Sequence, residues 1–573
     1  MSSEQPILFT NVRIFDSSGS DPFEGEVLVT GNTITDVRPK AGDLPRDGVR
    51  VIDGQGKFLM SGLCDAHTHF SWVNSADLPG LGTMGVEEHT LLCARSAQTY
   101  VDYGYTMCVG AAAAKARLDV VIRDAINDGQ IPGPRYLANC QEIAVTGGAL
   151  VHGITAFADG PEEMRKQVCR TVEMGADLVE LSMSGEEITG NQHAQDNYFS
   201  DEETLAATTE AHRRGLRVCS HARSGESVKM SVRNGVDIIY HASFVDDAGL
   251  DMLEAKKDEI FVAPRLNWLV ATLNDAADFG YPPEAAEAAG YKHELECAIA
   301  GLNKMKERGI RILPGGDYGF AWTPHGTYAR DLQHFVELLG YTPKEALLAA
   351  TALGGQIMRM PDQLGQLKAG FLADIILIDG DPLEDITVLQ DRTRIVGIMK
   401  DGIFHKDPGD GTEARPANSK KHIAEHRYQP DPITRRRTGT AAIAVPVRRL
   451  RWRSKLSNSV SVAGRNALEV PLNWWRIKLH HDWSGNVSRF EGGSEIGLRG
   501  VYIGVDLVDG HERGAVLRLQ AARRDESSDR EDLGDVNFVV PCVELRDTVG
   551  RNRFAFNKHD TGCHRISSLL REY

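Results

Sequence analysis

The chain has 573 residues, too many for one ordinary core, and its 42% hydrophobic content allows a large interior shared among two to four domains. A formal charge of −16 with a pI near 5.7 excludes the surplus of Lys and Arg that a nucleic acid or an anionic membrane surface demands. Nine cysteines without a Cys-x-x-Cys exclude a disulfide framework and a thiolate zinc site, so reduced thiols in a cytoplasmic protein are expected.

The opening residues, MSSEQPILFTNVRIF, contain no basic segment followed by a long apolar one, and no run reaches about 18 apolar residues, so neither a signal peptide nor a membrane span is expected. From Ile7 to about Lys57 short β-type runs alternate with turn residues: ILFTNVRIF, EVLVT, a Gly31-Asn32 turn and TITDV read as hairpins. So small a sheet needs a partner to close its core. Ala373–Asp379 and Ile395–Lys400, followed by an Asp401-Gly402 turn, supply candidate strands for it. Residues 1–57 and 363–406 are therefore expected to form one composite β-domain around a larger insert.

Across the insert, residues 58–362, short apolar strands alternate with helical segments, the pattern of a parallel α/β fold. Ser200-Asp-Glu-Glu203 and Thr342-Pro-Lys-Glu345 fit capping boxes and mark two helix starts. Eight candidate strands follow in series: 59–65, Thr106–Gly110, Tyr136–Asn139, Leu178–Ser182, Arg217–His221, Ile238–His241, Phe261–Pro264 and Arg311–Pro314. Eight strands over this length predict a TIM (β/α)8 barrel, with a doubly wound open sheet as the alternative. Residues 407–445 read as a linker and 446–573 as a C-terminal extension with β-like pieces at Val501–Leu507 and Val536–Val540.

The chemistry gathers at strand ends. Leu59-Met-Ser-Gly-Leu-Cys-Asp-Ala-His67-Thr-His69 closes on two histidines, and period-two geometry puts both on one face. Leu178-Val-Glu180-Leu-Ser182 holds an acid inside an apolar strand, where a charge is costly unless paired or bound to a metal. Histidines His221 and His241 close two further strands, and Gly315-Gly-Asp317 delivers a carboxylate just past the eighth. Each alone reads as a capped strand or a turn. Together, four imidazoles and two carboxylates make the ligand inventory of a borderline divalent ion, zinc first.

The motifs Asp65-Ala-His67-Thr-His69, Gly129-Gln-Ile-Pro-Gly-Pro-Arg135, Ser220-His221, Tyr240-His241, Gly315-Gly-Asp317 and Gly370-Phe-Leu-Ala-Asp-Ile-Ile-Leu-Ile-Asp-Gly-Asp-Pro382 occur in this order. In carrying them the chain from about Ile7 to Phe404 resembles the amidohydrolase superfamily, in the branch of imidazolonepropionases, prolidase-like dipeptidases and ochratoxinase-like amidases. The resemblance implies a metal-bearing barrel beside a composite β-sandwich. It assigns His67, His69 and Asp317 to a buried metal, and His221 and His241 to a second, more exposed one. Where relatives carry a bridging carboxylated lysine this sequence has Glu180, which leaves one or two ions open. Relatives tend to carry a histidine directly after the two glycines of Thr146-Gly-Gly; here Ala149 stands there, with His152 three residues on.

The implied reaction is hydrolysis of a non-ordinary or terminal C–N bond, in an amide, dipeptide or cyclic amide, by a metal-activated hydroxide, with Asp317 as general base and then acid. Arg265 at the end of strand seven and Arg223 just past His221 are candidate anchors for a substrate carboxylate, and His325 and His152 are candidate substrate contacts. The expected partners are a small-molecule, carboxylated substrate and further copies of the chain as a homo-oligomer, without nucleic acid or membrane. Deamination or decarboxylation on the same site, and a catalytically silent scaffold keeping the fold, are the rival readings.

Overall fold

The computed structural model describes residues 5–40, 42–148, 151, 153–187 and 192–409, and the backbone of strands between 450 and 553. Met1–Arg427 and Tyr428–Tyr573 form two compact units.

The first unit begins with β1 (Ile7–Phe15), β2 (Phe23–Thr30), β3 (Thr33–Pro39), β4 (Arg50–Asp53) and β5 (Phe58–Ser61). The barrel-type region follows with β6 (Leu63–Thr68), β7 (Tyr105–Gly110), β8 (Arg135–Leu137), β9 (Ile143–Ala144), β10 (Ala156–Phe157), β11 (Leu178–Ser182) and β12 (Arg217–Ala222). It continues through β13 (Ile238–His241), β14 (Phe261–Ala263) and β15 (Arg311–Ile312), and the chain returns with β16 (Ile375–Ile378), β17 (Ile395–Lys400) and β18 (Ile403–Lys406).

Strands from the two flanks share one mixed sheet in the order β18-β17-β16-β5-β1-β2-β3, with β4 parallel to β1 on a branch. Its alternating apolar residues, among them Phe9, Ile14, Val27, Leu59, Ile375 and Leu377, close a core of their own. The run from Leu59, read in the sequence as one strand, is two. Gly62 breaks it, because a Cβ there would collide with the Thr106 side chain. β5 joins the mixed sheet antiparallel to β16, while β6 turns into the barrel region beside β7. Arg135 fastens the two layers: its guanidinium pairs with Asp374 through Nε at 3.1 Å and Nη2 at 3.2 Å, and also with Asp401.

In the barrel region, β6-β7-β8 form one parallel arc and β10-β9-β11-β12-β13-β14-β15 another. The run from Arg135 to Ala144 belongs to both, since β8 pairs with β7 and β9 touches β11 at Leu181. At the other junction the Ala66 N–H donates to the Pro314 carbonyl at 3.0 Å. The arcs and the helices between them give a TIM-barrel-type α/β fold. Both capping boxes form: the Glu203 N–H donates to Ser200 Oγ and the Glu345 N–H to Thr342 Oγ1, each at 3.2 Å. No helix among the described residues is long and apolar enough to cross a membrane.

The second unit contains an antiparallel sheet of Asn466–Glu469, Arg476–His481, Val501–Val508, Ala515–Arg523 and Asp532–Val540, in sequence order. The β-like pieces expected near Val501 and Val536 lie in it. The expected linker lies outside the described residues from 410 onward.

The loop past β15 is fixed by one carboxylate. Asp331, 1% exposed, accepts from the Gly315 N–H and the Asn267 N–H, each at 3.0 Å. Replacing Asp331 by Ala leaves two buried donors without a partner, at about 1–3 kcal/mol each. The expected outcome is a loss of about 2–5 kcal/mol, read as a lower urea midpoint; a loss under about 0.5 kcal/mol contradicts this role.

Candidate metal centre

The six candidate ligands come from five strand ends of one barrel face. His67 lies in β6 and His69 one residue past it, Glu180 sits in β11, His221 in β12, His241 closes β13, and Asp317 follows β15. All six are buried, none more than 5% exposed.

Their atoms converge. His69 Nδ1 lies 2.8 Å from the Ala112 carbonyl. A carbonyl only accepts, so that nitrogen carries the proton and Nε2 of the neutral ring carries a lone pair. This lone pair faces His67 Nε2 at 3.1 Å and Asp317 Oδ1 at 3.1 Å. A second pair, His221 Nδ1 and His241 Nε2, stands 2.8 Å apart. The His67 and His241 rings are 5.1 Å apart, and ligand atoms of His67, His241 and Asp317 lie within 4.8 Å of one another.

The surroundings hold these rings in place. His67 stacks on Tyr240 at 4.0 Å and His69 on Trp72 at 4.4 Å. Buried Asp65 accepts from the His67 N–H at 3.0 Å and from the Tyr100 hydroxyl at 2.7 Å, tying the strand end to the helix Val86–Asp102. Gly315 lets the loop past β15 approach, since a Cβ there would stand 2.9 Å from His67 Cβ. His241 and Asp317 have φ of +72° and +57°, backbone strain at two of the six positions.

Burial and neighbouring charges shift all six groups. Burial pushes the Glu180 carboxyl up to about 8, drives His67 and His241 well below the usual imidazole range, and brings His221 down to about 3. Burial also opposes a proton on His69, but the hydrogen bond and charge of Asp317 lift it to about 9. Burial works to raise Asp317, and the charges of His67, His69 and Arg265 overcome it and hold the carboxyl well below the ordinary range. Among the described residues, His67 Nδ1, Glu180 Oε2, His221 Nε2 and His241 Nδ1 are buried without a hydrogen-bond partner. Imidazole nitrogens and carboxylate oxygens converging in this way fit a divalent transition ion.

The candidate substrate residues differ from one another. Arg265, 3% exposed, stacks on Trp268 at 4.0 Å and lies 3.6 Å from Asp317 Oδ2. Its Nε and Nη2 have no hydrogen-bond partner among the described residues. Arg223, expected as a second anchor, is fully buried and its guanidinium pairs with Glu186, Glu187 and Glu294. That correction follows from charge: a guanidinium with three carboxylates around it has no edge left for a ligand. His325 is buried, its Nδ1 3.2 Å from the Tyr328 hydroxyl and its backbone N–H donating to Asn74 Oδ1 at 2.8 Å. His152 and Ala149 lie outside the described residues.

Sequence reasoning missed Glu186 and Glu294. The Glu186-Glu187 pair just past β11 was a readable signal; Glu294, on the helix Tyr291–Glu307 between β14 and β15, gave none.

A buried His/His/Asp donor set lies at the strand ends of a TIM-barrel-type α/β fold, an arrangement that could hold a metal ion. Comparison gives the class: the Amidohydrolase family matches residues 58–404, and the chain belongs to that family, hydrolases of carbon–nitrogen bonds. It is 26% identical to the ochratoxinase of Aspergillus niger over 425 residues, covering 68% of this chain and 85% of the relative. It is 23% identical to the imidazolonepropionase of Symbiobacterium thermophilum over 350 residues, covering 57% of this chain and 76% of the relative. Among solved structures it is similar to a Xaa-Pro dipeptidase with methionine bound in its active site, with a TM-score of 0.63 and 25% identity over 70% of this chain and all of that one (100%).

In the free site His69 and Glu180 titrate near 9 and 8, so below pH 8 both hold protons that an arriving cation must displace. Zinc affinity should therefore weaken as pH falls from 8 to 6, by about tenfold per pH unit for each proton displaced. Competition with a zinc indicator measures this, and a pH-independent affinity contradicts it.

Proposed function

We propose that this protein is a zinc-type metal-dependent amidohydrolase that cleaves the amide bond of a small substrate carrying a free carboxylate, an N-acyl amino acid or a dipeptide. One observation carries the substrate class: the Nε and Nη2 donors of buried Arg265, which have no hydrogen-bond partner among the described residues, while its Nη1 is 3.6 Å from Asp317. The names of similar proteins, an ochratoxinase and a Xaa-Pro dipeptidase, support the same bond type. In this reading the barrel closes fully, the mixed sheet is the composite β-sandwich domain, and the chain works as a homo-oligomer.

His67, His69, His221, His241, Asp317 and Glu180 would hold one or two divalent ions. A divalent ion held there supplies Lewis acidity, lowering the pKa of water and polarising a carbonyl. Arg265 receives the substrate carboxylate on its open edge and so sets the distance between the anchored end and the scissile carbonyl. Asp317 takes the proton of the attacking water and returns it to the departing nitrogen. Glu180, whose carboxyl burial pushes up to about 8, would be favoured as a carboxylate by a cation beside it. Trp72 stacks on His69 at one side of the site.

Two outcomes are expected. Asp317→Asn should lower kcat by about 10²–10⁴-fold while retaining most of the bound metal, measured by turnover and elemental content on the same sample. An enzyme of unchanged kcat would remove Asp317 from the chemistry. In a panel of L-methionyl-L-proline and N-acetyl-L-phenylalanine, each beside its C-terminal carboxamide, the carboxylate should be preferred by about 10–100-fold in kcat/KM. Equal rates on both forms would remove the carboxylate requirement.

A further inference from the structure

Arg223 and Arg265 sit side by side in one buried network and are treated differently by it. Arg223 is saturated: Nε donates to Glu294 Oε1 at 2.9 Å, Nη1 to the Gly185 carbonyl at 3.0 Å and Glu186 Oε1 at 2.9 Å, and Nη2 pairs with Glu294 and, at 3.0 Å, with Glu187. Arg265 is gripped at one corner only. Its Nη1 pairs with Glu186 Oε2 at 2.6 Å, its face lies on Trp268, and Nη2 stands 3.9 Å from Glu294 Oε1, beyond hydrogen-bond reach.

The two acids are held in turn. The Tyr291 hydroxyl donates to Glu186 Oε1 and the Ser243 hydroxyl to Glu294 Oε1, each at 2.7 Å. Burial works to raise the Glu186 carboxyl, but Arg223 and Arg265 hold it down to about 2, so it stays charged. The network thus joins the loop past β11, the ends of β12, β13 and β14, and the helix Tyr291–Glu307.

Burying this many charges is a poor way to gain stability, because desolvation offsets much of their attraction. A purely structural clamp would also satisfy Arg265 as fully as it satisfies Arg223. A guanidinium has two edges suited to a carboxylate, and the grip of Glu186 on Nη1 withdraws one of them. The Nε–Nη2 edge remains.

We propose that Glu186 and Glu294 are positioning residues, Glu186 directly and Glu294 through Arg223, that turn Arg265 so that its Nε–Nη2 edge receives the substrate carboxylate side-on, and that they thereby set the preference for a carboxylated substrate. This rests on the reading of Arg265 as the carboxylate anchor. Glu186 and Glu294 touch no substrate atom; they act through the orientation of the fork.

The test measures, on the zinc-loaded full chain, the ratio of kcat/KM for L-methionyl-L-proline over its carboxamide, and for N-acetyl-L-phenylalanine over its carboxamide. In Glu186→Gln and in the milder Tyr291→Phe, which leaves every charge in place, the ratio should fall, by at least tenfold in the first and to an intermediate value in the second. A general loss of structure lowers both substrates together and leaves the ratio unmoved. Calorimetry adds a readout without turnover: L-proline should bind Glu186→Gln at least tenfold more weakly than wild type. Arg265→Met separates the two levels. If it leaves the ratio unchanged, the anchor reading fails; if it abolishes the preference while Glu186→Gln and Glu294→Gln keep the wild-type ratio and L-proline affinity, the positioning inference is overturned.

Discussion

The acceptor nitrogen of His69, Nε2, faces His67 Nε2 and Asp317 Oδ1 in a buried space, each at 3.1 Å, and this cluster of donor atoms is suited to a cation. The Ala112 carbonyl enforces this by holding the His69 proton on the far nitrogen. Asp317 favours a positive charge beside His69 against the cost of burial. Glu180 is a carboxyl in a strand interior that burial pushes up to about 8, and a cation beside it would favour its charged form.

The scaffold holds that arrangement against its own relaxation. His241 and Asp317 carry left-handed backbone conformations that ordinary residues avoid. Asp331 clamps the loop that carries Asp317, and Gly315 lets that loop sit against His67. On the far side Arg135 ties the third strand to the mixed sheet through Asp374 and Asp401, which accounts for a motif with no place in the chemistry. Behind Arg265 the acids Glu186 and Glu294 concentrate negative charge where Arg223 alone could not orient its neighbour.

Much of this was legible in the sequence because it is local. Histidines at strand ends follow from apolar runs that stop on a polar residue, and the two capping boxes follow from four-residue patterns. The close approach at Gly62 was not legible, since it depends on Thr106 of the neighbouring strand β7. Nor was the fate of Arg223: position past a strand end gives reach towards the site, but only the packing of the helix Tyr291–Glu307 shows that Glu294 claims its guanidinium. Arg265 and Arg223 look alike in sequence and differ only in how many carboxylates the fold brings to each.

Elemental analysis of the purified chain, paired with activity before and after chelation, tests whether the converging donors hold a metal. The expected result is two equivalents of a divalent ion, zinc first, removed by chelator together with activity and restored with it. A chain that hydrolyses at full rate with no bound metal would contradict it.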